Sequence, residues 1–337
     1  FTGVRLPRHR LRPDAPVIPV FGAGNLLTLA RGWCLAVLVG FLVGTPPEGF
    51  GRWIPMFAYT ASDVADYFDG YLSRRQGIAT PLGVALDLEL DSIGVLAAVA
   101  VAIRLGALPL WFLVFGLARY AYTAMVRIRR WRKLPVYELP PSKSRRPIAG
   151  LTMGYLSATL WPILDRPELT LAGLIFLSAF SVSFMRDALV VGGLLDPESD
   201  AYQRWRTRLR RVILEWLPIG LRLAVISIIV VEVPRLILQT VGVMEAELPI
   251  PLLYIYSGIS ILASLAMISG WAGRFAAFVQ LFPLGLTIAA SSMDAPRAFA
   301  LIAVIGILIL GTGRYSLWKP SEWIFSRRAG ETIERSD

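Results

Sequence analysis

Asp66-Tyr67-Phe68-Asp69-Gly70-Tyr71-Leu72-Ser73-Arg74, followed after eight residues by Gly83-Val84-Ala85-Leu86-Asp87-Leu88-Glu89-Leu90-Asp91, decides how this chain is read. Both segments lie in otherwise apolar stretches, where an ionised side chain is costly and is a functional candidate by default. Asp66 and Asp69 are three residues apart and Asp87 and Asp91 four apart, so each pair shares one face of a helix. Two antiparallel helices joined by a short segment from Arg74 to Pro81 bring both pairs to one depth. Four carboxylates in a low-dielectric site repel one another and resist ionisation without a counter-cation. Hard divalent ions with oxygen ligands, Mg2+ or Mn2+, are the natural choice and can bridge phosphates. Gly70 and Gly83 remove side chains where a nucleotide or a facing helix comes close. Arg74 supplies a fixed positive charge for a phosphate.

The rest of the composition sets this motif in a membrane. Of 337 residues, 55% are hydrophobic and 17% charged, and the mean hydropathy is +0.59. Soluble domains rarely combine these values. Candidate spans fall near 25–44, 52–72, 82–105, 107–127, 147–165, 169–190, 217–240, 250–270, 274–291 and 296–314. The chain carries 34 Lys+Arg against 24 Asp+Glu. With the N-terminus cytoplasmic, most of that excess falls on one side, in the loops around Arg8, Arg75, Arg130, Arg145, Arg206 and Arg274. The other side carries little beyond Arg52, Arg104, Arg166 and Arg297, with Glu245 and Glu247. This asymmetry predicts the N-terminus, the carboxylate site and the C-terminus on the cytoplasmic side, facing anionic lipid headgroups. No soluble basic domain is left to bind nucleic acid. Cys34 stands alone, so no disulfide framework exists. Phe1 to Pro16, rich in Arg and Pro, does not read as a signal peptide.

The carboxylate segments resemble the signature of the CDP-alcohol phosphotransferases, D-x-x-D-G-x-x-A-R, a short gap, then G-x-x-x-D-x-x-x-D. Ser73 stands where the pattern has alanine, and the other seven positions match, a coincidence of about one in a billion per start site. Asn25-Leu26-Leu27-Thr28-Leu29-Ala30-Arg31 resembles the opening of the family's first span, N-x-x-T-x-x-R. The resemblance covers roughly residues 1–195 and implies a six-span catalytic bundle. It implies attack by an alcohol hydroxyl on the phosphorus next to the lipid, with CMP released. By similarity, Asp66, Asp69, Asp87 and Asp91 hold the metal, two ions in all, and Asp91 is also the base. Asp66, Asp69, Gly70, Ser73, Arg74 and Gly83 would line the CDP site. CDP-diacylglycerol is the expected donor, on the strength of short, prokaryotic-style loops. Arg119, Arg127, Lys143, Arg145 and Arg146 are candidates for an acceptor carrying its own phosphate, such as glycerol phosphate or inositol phosphate. Ordinary loop charge explains any one of these arginines equally well. Asp63 shares the motif face one turn before Asp66, whereas Glu89 points away from Asp87 and reads as structural.

Beyond residue 195 the pattern changes. Trp205, Leu209, Val212, Ile213 and Trp216 recur at helical spacing among arginines, which predicts an amphipathic interfacial helix over 196–216. Residues 217–337 read as a four-span domain with a cytoplasmic tail. Gly311-Thr312-Gly313-Arg314-Tyr315-Ser316-Leu317, with Arg222 and Trp271-Ala272-Gly273-Arg274, resembles DoxX-like membrane proteins and implies architecture only. Glu232 and Arg235 flank Pro234 and predict an ion pair at a kink. Gly150 and Gly154 form a small-xxx-small pair suited to helix packing or a homodimer.

The expectation is an all-α integral membrane protein: a six-span catalytic bundle, an interfacial helix and a four-span bundle. Its expected activity is transfer of a phosphatidyl group from CDP-diacylglycerol to an alcohol. Two alternatives stand beside it: a CDP-choline or CDP-ethanolamine type transferase with a lipid acceptor, and a structural subunit of a larger membrane complex.

Overall fold

The computed structural model describes residues 23–75, 81–137, 145–162, 166–240, 249–290 and 293–318. Among them the chain is helical throughout, and its sole extended feature is an isolated bridge between Trp271 and Trp318. Three helical segments, Pro167–Val191, Ile250–Ser269 and Gly273–Ala290, are long and apolar enough to cross a membrane, and Gly24–Gly40 and Ala295–Leu310 are apolar but shorter. The motif-bearing helices described next are 22 and 24 residues long, and what they lack in apolarity is due to their own charges. Within the described residues, 23–125 and 153–162 form one compact unit, and 126–152 with 166–318 form another.

The first unit is organised around its first helix. Helix α1 (Ala23–Gly40) buries Asn25, Thr28, Arg31, Leu35 and Leu38, a stripe with steps of three and four, and exposes Leu26, Leu29, Trp33 and Val37 on the opposite side. An apolar outer face of that size suits contact with lipid tails. A loop and a 3-10 turn (Gly49–Trp53) lead into α2 (Ile54–Arg75), and α3 (Pro81–Arg104) follows. Helix α1 packs extensively on both α2 and α3, whereas α2 and α3 touch each other only sparsely. The two motif helices are therefore brought together through α1, which packs on both. Gly94 of α3 lets Leu35 of α1 and Tyr59 of α2 approach, a Cβ there coming within 3.4 Å of Leu35.

Helix α4 (Leu113–Trp131) begins after a short 3-10 turn, later than the predicted start at 107. Phe112 and Phe115 at its start are buried, and Gly116 lies against α3. A Cβ on Gly116 would sit 2.8 Å from a Leu96 methyl and 2.9 Å from the Leu96 Cα. Helix α5 (Arg145–Thr159) contributes Tyr155 and Leu156 to this core, and Ser157 bonds Thr60 of α2 across 2.6 Å.

The second unit contains α6 (Arg166–Val191), then an unbroken helical run: α7 (Asp200–Arg211), a π-helical turn (Val212–Trp216), α8 (Leu217–Ser227), a second π turn (Ile228–Glu232) and α9 (Val233–Thr240). Helices α10 (Ile250–Ser269), α11 (Gly273–Ala290) and α12 (Ala295–Leu310) complete it. Contacts run from α9 to α10, α10 to α11, α11 to α12 and α12 back to α8, closing a ring of four rods. The predicted segment 196–216 comprises α7 and the π turn after it, with Trp205, Val212 and Trp216 exposed. It continues helically into α8, because the π turn inserts its extra residue without ending the helix. That turn also frees the Glu215 carbonyl, which accepts the Arg314 backbone N–H at 3.3 Å.

The closing segment after α12 folds around Arg222. Its guanidinium donates to the carbonyls of Thr312, Arg314 and Tyr315 and, from Nε at 2.8 Å and from Nη2, to that of Ile268. Gly270, at φ +73°, caps α10 with its α-carbon face against Ser316. At the opposite end of the ring, Arg235 bonds Glu232 at 3.0 Å and Asp294 at 2.9 Å, and Arg297 reaches Glu232 at 3.3 Å. The predicted Glu232–Arg235 pair is therefore two members of a four-residue cluster joining α9 to α12. Pro234 lies just after the second π turn, in the first turn of α9, where a missing N–H is tolerated.

Two stability predictions follow from this packing. Gly116→Ala should destabilise the protein by about 1–3 kcal/mol, because α4 cannot keep its approach to α3; Gly150→Ala, with open space around it among the described residues, should be neutral or slightly stabilising. Thermal unfolding in detergent separates the two. Glu232→Met should cost about 3–5 kcal/mol by removing the buried carboxylate that Arg235 and Arg297 share, and the double change with Arg297→Met should recover most of it.

Candidate active site

The predicted carboxylates meet on one guanidinium. Arg31 of α1 is 2% exposed, and its Nη1 lies 2.7 Å from Asp66 Oδ1, 3.2 Å from Asp69 Oδ2 and 2.6 Å from Asp87 Oδ1. Its Nη2 lies 2.6 Å from Asp91 Oδ1. The wedge position of α1 explains this: Asp66 and Asp69 come from α2 on one flank, Asp87 and Asp91 from α3 on the other. Thr28, one turn before Arg31, donates to Asp69 Oδ2 at 3.0 Å while also reaching the Gly24 carbonyl. Such hydrogen bonds to an ionised acceptor are the stronger kind, and they fix the carboxylate rotamer.

Asp66, Asp69 and Asp87 each present one oxygen such that the three lie within 4.8 Å of one another. That spacing, the all-oxygen donor set and the cation already seated among them fit a hard divalent ion. Asp91 stands beside this triad, held by the second Arg31 nitrogen. Asp63 lies within electrostatic reach of both Arg31 and Asp91, and the fully buried Tyr59 lies near Asp63, Asp66 and Asp91. Glu89 is exposed, close enough to Tyr120 of α4 to bear on its charge.

The remaining predicted residues divide. Arg119 is exposed on α4, close enough to Asp91 to bear on its charge. Arg127 is exposed farther along the same helix. Gly83 lies in the first turn of α3, one turn before Asp87. Gly70, Ser73 and Arg74 continue α2 past Asp69, and Arg145 and Arg146 open α5, so their backbones are helical while their side chains lie outside the described residues. Lys143 lies outside the described residues altogether.

Arg31 and Thr28 are the functional residues to which the sequence assigned no role. Their signal was present: Asn25, Thr28 and Arg31 recur every three residues along one face of an apolar helix, where a buried arginine requires acidic partners.

Residues 21–185 match the model of the CDP-alcohol phosphatidyltransferase family. The match covers α1 to α5, most of α6 and the whole carboxylate site. It supports the family resemblance and a CDP-alcohol phosphotransferase chemistry. The family is generally dependent on divalent metal, and the aspartate triad can hold one. The matched region does not extend to the ring of four helices. No curated protein and no solved structure matches the chain.

Thr28→Val, which keeps the shape and removes the donor, should cost about 1.5–3 kcal/mol by leaving Asp69 short of a charge-assisted bond. Thr28→Ser should retain most of the stability. Thermal unfolding of the two variants in the same detergent checks this.

Proposed function

We propose that the chain transfers a phosphatidyl group from CDP-diacylglycerol to a polar alcohol, releasing CMP. The observation that carries the reading is the convergence of Asp66, Asp69 and Asp87 on one point, with Asp91 beside them. Asp66, Asp69 and Asp87 would hold Mg2+ or Mn2+, which supplies charge neutralisation for the diphosphate. Asp91 takes the proton of the acceptor hydroxyl as its oxygen attacks the lipid-side phosphorus; the bond from that phosphorus to the CMP oxygen breaks in line. Gly70, Ser73, Arg74 and Gly83 line the path of the nucleotide, on the helix stretches that flank the triad. Lys143 and Arg146 are the leading acceptor-site residues, and Arg119 lies close enough to the proposed base to bear on its charge. Arg127, Lys143, Arg145 and Arg146 extend the same reading to an acceptor that carries its own phosphate. The active site faces the cytoplasm, ten helices cross the bilayer, and residues 217–337 form an accessory membrane domain of DoxX-like architecture.

CMP release from CDP-diacylglycerol by purified protein tests this, with Mg2+ or Mn2+ and a panel of glycerol phosphate, inositol phosphate, inositol and serine. Release should depend on one acceptor, stop with chelator, and fall by about 100-fold or more in Asp91→Asn. Release from CDP-choline with a lipid acceptor alone would reassign the donor; no release from metal-bearing protein with any pair would favour a structural subunit.

A further inference from the structure

The site contains a cation supplied by the chain itself, and it occupies the centre of the triad. Arg31 Nη1 touches one oxygen each of Asp66, Asp69 and Asp87, at 2.7, 3.2 and 2.6 Å, and these are the three carboxylates that can converge on a metal. A hard ion such as Mg2+ takes its oxygens at about 2.0–2.1 Å, too close to leave a guanidinium nitrogen among the same three groups. Two further observations bear on how firmly the arginine is held. Its Nε is buried without a hydrogen-bond partner, so its seat is incompletely satisfied. Its Nη2 is separately anchored on Asp91, 2.6 Å away. Four carboxylates share this one guanidinium, so full ionisation of the cluster calls for more positive charge than Arg31 provides.

We propose that Arg31 is a built-in competitor for the metal site, its Nη1 yielding the aspartate triad to a divalent ion while its Nη2 stays on Asp91. This rests on the metal reading of the preceding subsection and adds to it a linkage. The arginine keeps the buried carboxylates compensated when metal is scarce, and its displacement sets a threshold concentration below which the triad does not load. It also ties the proposed base to the metal site through a single side chain.

Mn2+ binding to the purified full chain, followed by electron paramagnetic resonance of the free ion, tests the linkage without reference to turnover. Arg31→Gln is purified with Mn2+ present, so that the ion replaces the lost charge, and is then titrated beside wild type. The expected result is a Kd at least tenfold lower in Arg31→Gln. Chelator should also lower the unfolding temperature far more in Arg31→Gln than in wild type, and Mn2+ should restore it. An unchanged or weaker Mn2+ affinity in Arg31→Gln would overturn the proposal, since an arginine that merely orders the carboxylates would aid binding. If Arg31→Gln is not recovered folded, Arg31→Lys takes its place. Its single ammonium cannot hold Asp91 and the triad together, so its Kd should also fall below wild type, and an equal or higher Kd would count against competition. Failure of both wild type and variant to bind Mn2+ would instead remove the metal reading itself.

Discussion

The first unit depends on a buried guanidinium shared by four carboxylates from two helices. Neither motif helix could bury its acids against the other alone: like charges at that range repel, and a low-dielectric interior magnifies the repulsion. Arg31 makes the meeting possible by standing between them, and this is why α1, rather than an α2–α3 contact, organises the unit. The steps along α1 from Thr28 to Arg31 to Leu35 join the ionic centre to the apolar core without a change of face. Gly94 and Gly116 then set how closely α2 and α4 approach the helices that carry the acids.

The second unit solves a similar problem differently. At one end of its ring a charge cluster is balanced within itself, with Glu232 and Asp294 against Arg235 and Arg297. At the other end a single arginine is satisfied by backbone carbonyls from the closing segment and from α10. Both arrangements tie helices distant in sequence, as expected where water cannot supply the missing partners. The contrast with the first unit is chemical. A balanced cluster calls for no ligand, whereas four acids with one cation retain a demand for positive charge.

The chain announced its class through features that survive any packing. Apolar length, the excess of basic loops and the spacing of Asp66, Asp69, Asp87 and Asp91 are properties of a one-dimensional string, because a helix converts sequence spacing directly into a shared face. Helices therefore occur near the predicted spans, although α4 starts later and α7 runs on into α8 through a π turn that no residue type marks. Glu232 and Arg235 were legible as a pair. Their partners Asp294 and Arg297 were not, since those lie on another helix about 60 residues away.

By itself, the sequence determined that four carboxylates lie on apolar helices at spacings that give each pair one face, in a segment that resembles the CDP-alcohol phosphatidyltransferases. Only the tertiary structure decided which helix lies between the two acidic pairs, and that among the described residues Arg31 is the cation seated on all four. The spacing of charges along a helix is local and can be read from the chain. The choice of which helix fills a gap depends on side-chain volumes and close approaches at Leu35, Gly94 and Gly116, which exist only once the helices have packed.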